Sequence, residues 1–208
     1  MKTVNFKLSL LLALFVGLLV GMNLLGGKVV PFLGLGASVG IFMVPVTFLI
    51  TDIVAEVYGR RVATQFVLGG IVTLVVVLLY TALFLVLPPH DRFPFNDEYL
   101  TIFGGSARIM VASITGFALS QFHDVWAFEF WKKKTGGRFL WLRNNLSTMV
   151  SQLIDTLVFM MIAFYQVTPA YTFEFIIGLA IPYYLLKIGF SLIDTPFVYL
   201  GVRWLRGK

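Results

Sequence analysis

Residues 143–155 read Arg143-Asn-Asn-Leu-Ser-Thr-Met-Val-Ser-Gln-Leu-Ile-Asp155, and they open a run that is otherwise apolar as far as Phe164. Taken as a helix, Asn144, Thr148, Ser151, Gln152 and Asp155 fall at i, i+4, i+7, i+8 and i+11, on one face. Leu146, Val150, Leu153, Leu157 and Met160 make the opposite face wholly apolar. A polar stripe along a helix of lipid length is expensive unless it faces a protein interior or a wet cavity. The remaining segments read as the other walls of that cavity.

The 208 residues are 59% hydrophobic and 12% charged, with a mean hydropathy of +0.91. A soluble domain carries about 25% charged residues. The balance identifies an all-α integral membrane protein, and the length suits a single domain (1–208) of about six spanning helices of roughly 20 residues each. There is no cysteine, which excludes disulfides, thiolate metal ligands and cysteine nucleophiles. A net charge of +6 would suit nucleic acid, but the basic residues cluster between apolar runs. The charge therefore reflects topology, with the lipid bilayer and not nucleic acid as partner.

The expected helices span about 6–25, 38–58, 62–87, 105–131, 143–166 and 171–204. The first, after Lys2 and Lys7, resembles a signal peptide. No small-x-small cleavage site followed by a soluble domain is visible, so a retained helix is expected. Its Ala13, Gly17 and Gly21 form a small-residue ridge suited to close packing, read as internal, with an outside partner as the alternative. Gly26–Gly36 reads as a loop. Pro45 is expected to kink the second helix by removing an amide donor, and Asp52 and Glu56 follow on one face. The third helix reads as lipid-facing scaffold. The fourth carries Ser120, Gln121 and Asp124 along one side, and Arg108 near its start is expected at an interface. In the last helix Tyr184, Lys187, Ser191 and Asp194 share a face, with Pro182 and Pro196 as expected irregularities.

Twelve of the sixteen basic residues fall in four segments: Lys2 and Lys7; Arg60 and Arg61; Lys132, Lys133, Lys134, Arg138 and Arg143; and Arg203, Arg206 and Lys208. With six helices these segments lie on one side, and the positive-inside rule makes that side, and both termini, cytoplasmic. The expected location is the inner (cytoplasmic) membrane, crossed several times. A homo-oligomer is compatible with this composition.

A small motif repeats. Ser120-Gln121-x-x-Asp124 and Ser151-Gln152-x-x-Asp155 each place an amide beside a carboxylate on adjacent helices, where the two could face each other. Asp52, Glu56, Lys187 and Asp194 add to them. An ionisable group near a helix centre costs about 2.5–3.5 kcal/mol, so Asp52, Asp124, Asp155, Lys187 and Asp194 would cost about 12–18 kcal/mol together if unpaired. Either they pair, as in a Lys187–Asp194 lock, or they line a wet site. Glu129 is expected to pair with Lys132 or Lys133. Carboxylates and amides beside Tyr183, Tyr184, Phe117, Phe122 and Phe159 suit a flat, hydrogen-bonding heterocycle, because a carboxylate accepts two parallel bonds from adjacent N–H donors. Buried acid also suits a cation or a proton-linked step.

Other chemistries fit poorly. His90 and His123 lack a metal-ligand partner at useful spacing, so no metal or cofactor is expected. No Gly-Lys-Ser/Thr phosphate loop and no Gly-x-Ser-x-Gly nucleophile occurs, and the aspartates lack the Gly-x-Gly-Asp element of an intramembrane protease.

Thr51-Asp52-x-x-x-Glu56-x-Tyr58-Gly59, Ser120-Gln121-x-x-Asp124, Trp141-Leu142-Arg143-Asn144-Asn145-x-Ser147-Thr148-x-x-Ser151-Gln152-x-x-Asp155, and Lys187 with Asp194-Thr195-Pro196-x-x-Tyr199 resemble the queuosine precursor transporter family, also called the vitamin uptake transporter family. The resemblance covers about 51–200. It implies uptake of 7-deazaguanine bases, the 7-cyano and 7-aminomethyl forms (preQ0 and preQ1), for tRNA modification, and a bundle similar to the substrate-binding S-components of energy-coupling-factor transporters. Within that frame helix geometry gives Glu56 or Asp155 the N–H edge of the base. It gives Gln121, Gln152 and Asn144 the carbonyl and ring nitrogens, and Tyr183 or Tyr184 the stacking. Two alternatives stay open: a binding subunit that needs a separate ATPase, and an intramembrane enzyme built on Asp124 and Asp155.

Overall fold

The computed structural model describes residues 6–26, 28–32, 35–104, 107–166 and 169–207. Expectations that fall on Lys2, Gly27, Gly34, Gly105, Lys208 and the Arg108 side chain lie outside the described residues.

Among the described residues, six helical spans are long and apolar enough to cross a membrane. Helix α1 is Phe6–Leu25, α2 Val44–Tyr58, α3 Arg60–Val86, α4 the short Asn96–Gly104, α5 Ala107–Lys134, α6 Leu140–Phe164 and α7 Phe173–Arg206. The first connection is not an open loop. Val29–Phe32 (β1) and Leu35–Ser38 (β2) pair antiparallel as a hairpin, with Val29 opposite Ser38. This corrects the reading of Gly26–Gly36 as a loop; Pro31 is tolerated in so short a ribbon, which has only edge strands.

The second span is also built differently from the expectation. A 3-10 turn, Val39–Phe42, is capped by the Ser38 hydroxyl accepting from the Gly40 amide, and α2 begins only at Val44. Pro45 therefore occupies the first turn of α2, where a missing donor costs nothing, and no mid-helix kink is needed. Helix α7 is continuous through Pro182 and Pro196 over 34 residues, so the prolines do not divide it into two helices. At about 1.5 Å per residue it is longer than a bilayer core of about 30 Å, so it projects or tilts.

Helix α2 is the most buried span and sits among α1, α3, α5 and α7; α5 packs most extensively against α6, and α6 against α7. The face of α1 that packs inward is chiefly Leu11, Phe15 and Leu19; of the small-residue ridge, Gly21 lies against Met43 while Gly17 has open space beside it. The notch lies on the partner instead: a Cβ at Gly70 of α3 would collide with Leu19 and Phe15. Phe15 packs against Phe66 and Phe117 with ring centroids 6.1 Å away in each case. Phe117 is thus a core residue between helices, and Phe122 is exposed, so neither flanks the polar cluster as expected. Leu68, Val72, Val76, Leu79 and Leu83 of α3 face outward, as a lipid-facing scaffold requires.

Lys7 near the start of α1 donates to the Trp204 carbonyl near the end of α7, which places the start of α1 and the end of α7 at one end of the bundle. The ion pairs of Lys132, Arg143 and Arg206 with Glu56 gather at that same basic end.

Candidate functional site

Local structure along α2, α5, α6 and α7 builds one continuous polar interior. At the basic end, Glu56 from the last turn of α2 is a hub. Its carboxylate accepts from Arg143 at 2.8 Å, Arg206 at 3.1 Å and Lys132 at 3.3 Å, while Lys132 also donates to the Glu56 carbonyl at 2.9 Å. Arg143 is 1% exposed. It also donates to the Gly137 carbonyl at 3.2 Å and lies 5.3 Å from the Phe128 ring. Gly137 has φ 79°, a conformation that suits glycine and turns the α5–α6 loop so that its carbonyl reaches Arg143. Lys132 is committed to Glu56, which corrects its expected pairing with Glu129.

One to two turns deeper, Asp52 of α2 accepts from the Thr148 hydroxyl of α6 at 3.3 Å, and Thr51 donates to Gln121 Oε1 of α5 at 3.2 Å. Asp124 of α5 lies beside Asp52 and beside Ser147, Thr148 and Ser151 of α6. Asp194 of α7 lies beside Asn144 and within electrostatic reach of Asp124 and Asp52. Among the described residues no salt bridge reaches Asp52, Asp124 or Asp194.

Further toward the other end, Lys187 donates to Asp155 Oδ2 at 2.6 Å. This corrects the expected Lys187–Asp194 pair. Residues 187 and 194 share a face of α7 two turns apart, and Asp155 sits opposite the upper one. The approach of α5 to α6 at this level depends on Gly116, where a Cβ would lie 3.1 Å from the Asp155 carbonyl and 3.2 Å from its Oδ1. The α5–α6 register, 116 against 155 and 124 against 147–151, brings Gln121 to nearly the depth of Gln152. The two Ser-Gln-x-x-Asp motifs thus share an interface, but their carboxylates are offset along it. Asp124 turns to the hydroxyls of α6, and Asp155 to Lys187.

Tyr183 is engaged elsewhere: its hydroxyl accepts from the Ser38 amide at 3.0 Å, and the ring packs on Met160, Ile176 and Ala180. Phe32 of the hairpin lies between Phe42 and Phe190. Tyr184 is half-buried, about one turn from Lys187. His123 bonds Ser151 at 2.9 Å. Helical spacing alone did not single out Thr51, Ser147 or Thr156 as part of this interior, nor Arg143 as a buried residue. The signal available was their position on the faces already marked by Asp52, Asp124 and the α6 stripe.

The middle of this interior is closed. Asp52, Gln121, Asp124, Asn144 and Gln152 are each at most 2% exposed. Many of its atoms lack a well-formed hydrogen bond: both Asp124 oxygens, Asp52 Oδ1, Asp194 Oδ1, Gln121 Nε2, Asn144 Oδ1 and both ends of the Gln152 amide. Buried polar groups are normally satisfied. A set of unpartnered donors and acceptors converging from four helices is what a binding site that closes on a polar molecule presents. Two surface cavities lie elsewhere: one of about 430 Å³ is lined by Tyr165, Tyr171 and Phe173, and one of about 400 Å³ by Tyr199, Val202 and Arg206. Neither contains the buried carboxylates.

Residues 38–201, which include Asp52, Glu56, Gln121, Asp124, Asn144, Gln152, Asp155, Lys187 and Asp194, match the family described as “Putative vitamin uptake transporter”. The chain belongs to that family. A “Probable queuosine precursor transporter” of Bacillus subtilis (strain 168) is 34% identical over 184 residues, covering 88% of this chain and 79% of the relative. A “Queuosine precursor transporter” of Escherichia coli (strain K12) is 26% identical over 193 residues, covering 92% and 85%. No solved structure matches at a significant level. A transporter family explains the polar interior as a passage or binding site for a solute, and membership points to transport and not catalysis.

Proposed function

We propose that this multi-pass membrane protein imports a queuosine precursor, a 7-deazaguanine base, across the inner membrane. The observation that carries the reading is the closed cluster around Asp52 and Asp124, whose carboxylates have no cationic partner among the described residues. A guanine-like edge presents adjacent N–H donors, which a carboxylate accepts in parallel. Gln121, Gln152 and Asn144 would then read the carbonyl and ring nitrogens. Glu56 and Asp155, the acids favoured from helix geometry, already hold cations, so Asp52 or Asp124 is the better acceptor. The surplus of basic residues at one end supports cytoplasmic termini under the positive-inside rule.

The test is thermal stabilisation of the purified protein by 7-deazaguanines, with adenine and thiamine as controls. Binding stabilises as RT ln(1 + [L]/Kd). A concentration-dependent shift with 7-deazaguanines alone supports the reading, and a shift with thiamine and no purine overturns it. Uptake by the protein alone in liposomes separates an autonomous transporter from an S-component-like subunit that needs an ATPase.

A further inference from the structure

The charge balance of the closed interior is more acidic than a neutral base requires. Among the described residues the buried cations are already engaged: Lys187 is held by Asp155 at 2.6 Å, and Arg143 by Glu56 at 2.8 Å. Asp52, Asp124 and Asp194 are left with no salt bridge among the described residues. They come from three different helices and lie within electrostatic reach of one another. The neighbours shown beside them, Thr148, Ser147, Ser151 and Asn144, are neutral. A neutral guanine-like edge occupies one carboxylate. The other two would remain as buried acids without a counter-charge, an arrangement that membrane interiors reserve for function.

A second, independent observation points to a missing ligand. Gln121 Nε2, Asn144 Oδ1 and both polar atoms of Gln152 have no partner, although these side chains are at most 1% exposed. Their donors and acceptors would frame a solute in the same space that the carboxylates border.

We propose that Asp52, Asp124 and Asp194 form an anionic subsite that takes a protonated amine on the solute. The preferred substrate is then a 7-deazaguanine bearing an aminomethyl group and not its neutral cyano counterpart. One carboxylate holds the N–H edge of the base, and the others face the ammonium. This rests on the base-import reading above and adds the charge of the substituent to it.

The experiment compares the dissociation constants of 7-aminomethyl-7-deazaguanine and 7-cyano-7-deazaguanine for the detergent-purified protein at neutral pH, where a primary alkyl amine is protonated. The aminomethyl form is expected to bind at least tenfold more tightly. In Asp194→Asn the ratio of the two affinities should fall several-fold. A wild-type ratio below tenfold overturns the subsite while leaving the substrate class standing. Binding of neither base overturns the base-import reading and the subsite with it. Where Asp194→Asn fails to fold, Asp52→Asn and Asp124→Asn take its place, and a ratio unchanged in every variant that folds overturns the subsite. Where Asp194→Asn folds, an unchanged ratio rejects Asp194 as the specificity determinant.

Discussion

Lys187 Nζ and Asp155 Oδ2 stand 2.6 Å apart, and this pair joins the middle of α7 to α6. Removing one member leaves the other charged and largely buried. Asp155→Asn should therefore cost about 3 kcal/mol of stability as well as uptake. The double variant Asp155→Asn with Lys187→Met should regain most of that loss. Unfolding curves of the two single variants and the double give the coupling energy directly. Strict additivity would show that the pair is not a unit.

Asp124 has the opposite expectation. It has no cation and no well-formed hydrogen bond to lose, so Asp124→Asn should unfold at or above the wild-type temperature while losing its response to 7-deazaguanines. Such a separation of stability from function is typical of groups held in place for a ligand. A marked fall in melting temperature would place Asp124 among the structural residues.

The cations around Glu56 should not be equivalent. Arg143 is 1% exposed at its side chain and Arg206 47%. Arg206→Ala should cost less than about 1 kcal/mol, as exposed ion pairs do, whereas Arg143→Ala should cost about 3–5 kcal/mol. Arg143→Lys should not rescue it, because a lysine cannot reach Glu56 and the Gly137 carbonyl with a planar fork. Denaturant or thermal unfolding of the three variants checks the order.

Gly116→Val should separate α5 from α6 at Asp155, at a cost of about 1–3 kcal/mol from overpacking, and should reduce uptake. Gly178→Ala, where nothing lies within 4 Å of the added carbon, is the control and should stay within about 0.5 kcal/mol of wild type.

Tyr183→Phe removes the acceptor of the Ser38 amide and should cost about 0.5–1.5 kcal/mol. Faster exchange of the Ser38 amide hydrogen would report a loosened hairpin. If base binding fell as well, with the fold intact, Tyr183 would have a ligand role beyond holding the hairpin.

The spanning helices and the buried stripe of α6 were legible because both rest on periodicity: apolar length for one, and Asn144, Thr148, Ser151, Gln152 and Asp155 on a common face for the other. Helical spacing also placed Lys187, Ser191 and Asp194 together, and all three are buried. It could not choose a partner for Lys187, since both Asp194 and Asp155 lay on faces it might meet and only the depth of α6 against α7 decides. Local signals assign the hairpin to a loop because its strands are only four residues long, glycines flank and separate them, and the first contains a proline. The Pro45 kink was misplaced because the Ser38 cap, which starts a separate 3-10 turn, left the proline in the first turn of α2. Glu56 looked like a ligand group because three cations from distant segments are invisible to a local reading.

The hub at Glu56 has a consequence for how the protein is made. Its partners Lys132, Arg143 and Arg206 follow it by 76, 87 and 150 residues. During synthesis the second span must therefore wait at the basic end of the bundle with its glutamate unanswered until two more spans are threaded and Lys132 arrives. Only when the last turn of α7 emerges does its full complement of positive charge arrive. A chain that stops short of that turn already holds Lys132 and the buried Arg143 on Glu56 and lacks only the exposed third partner, so the buried part of the latch closes before synthesis ends.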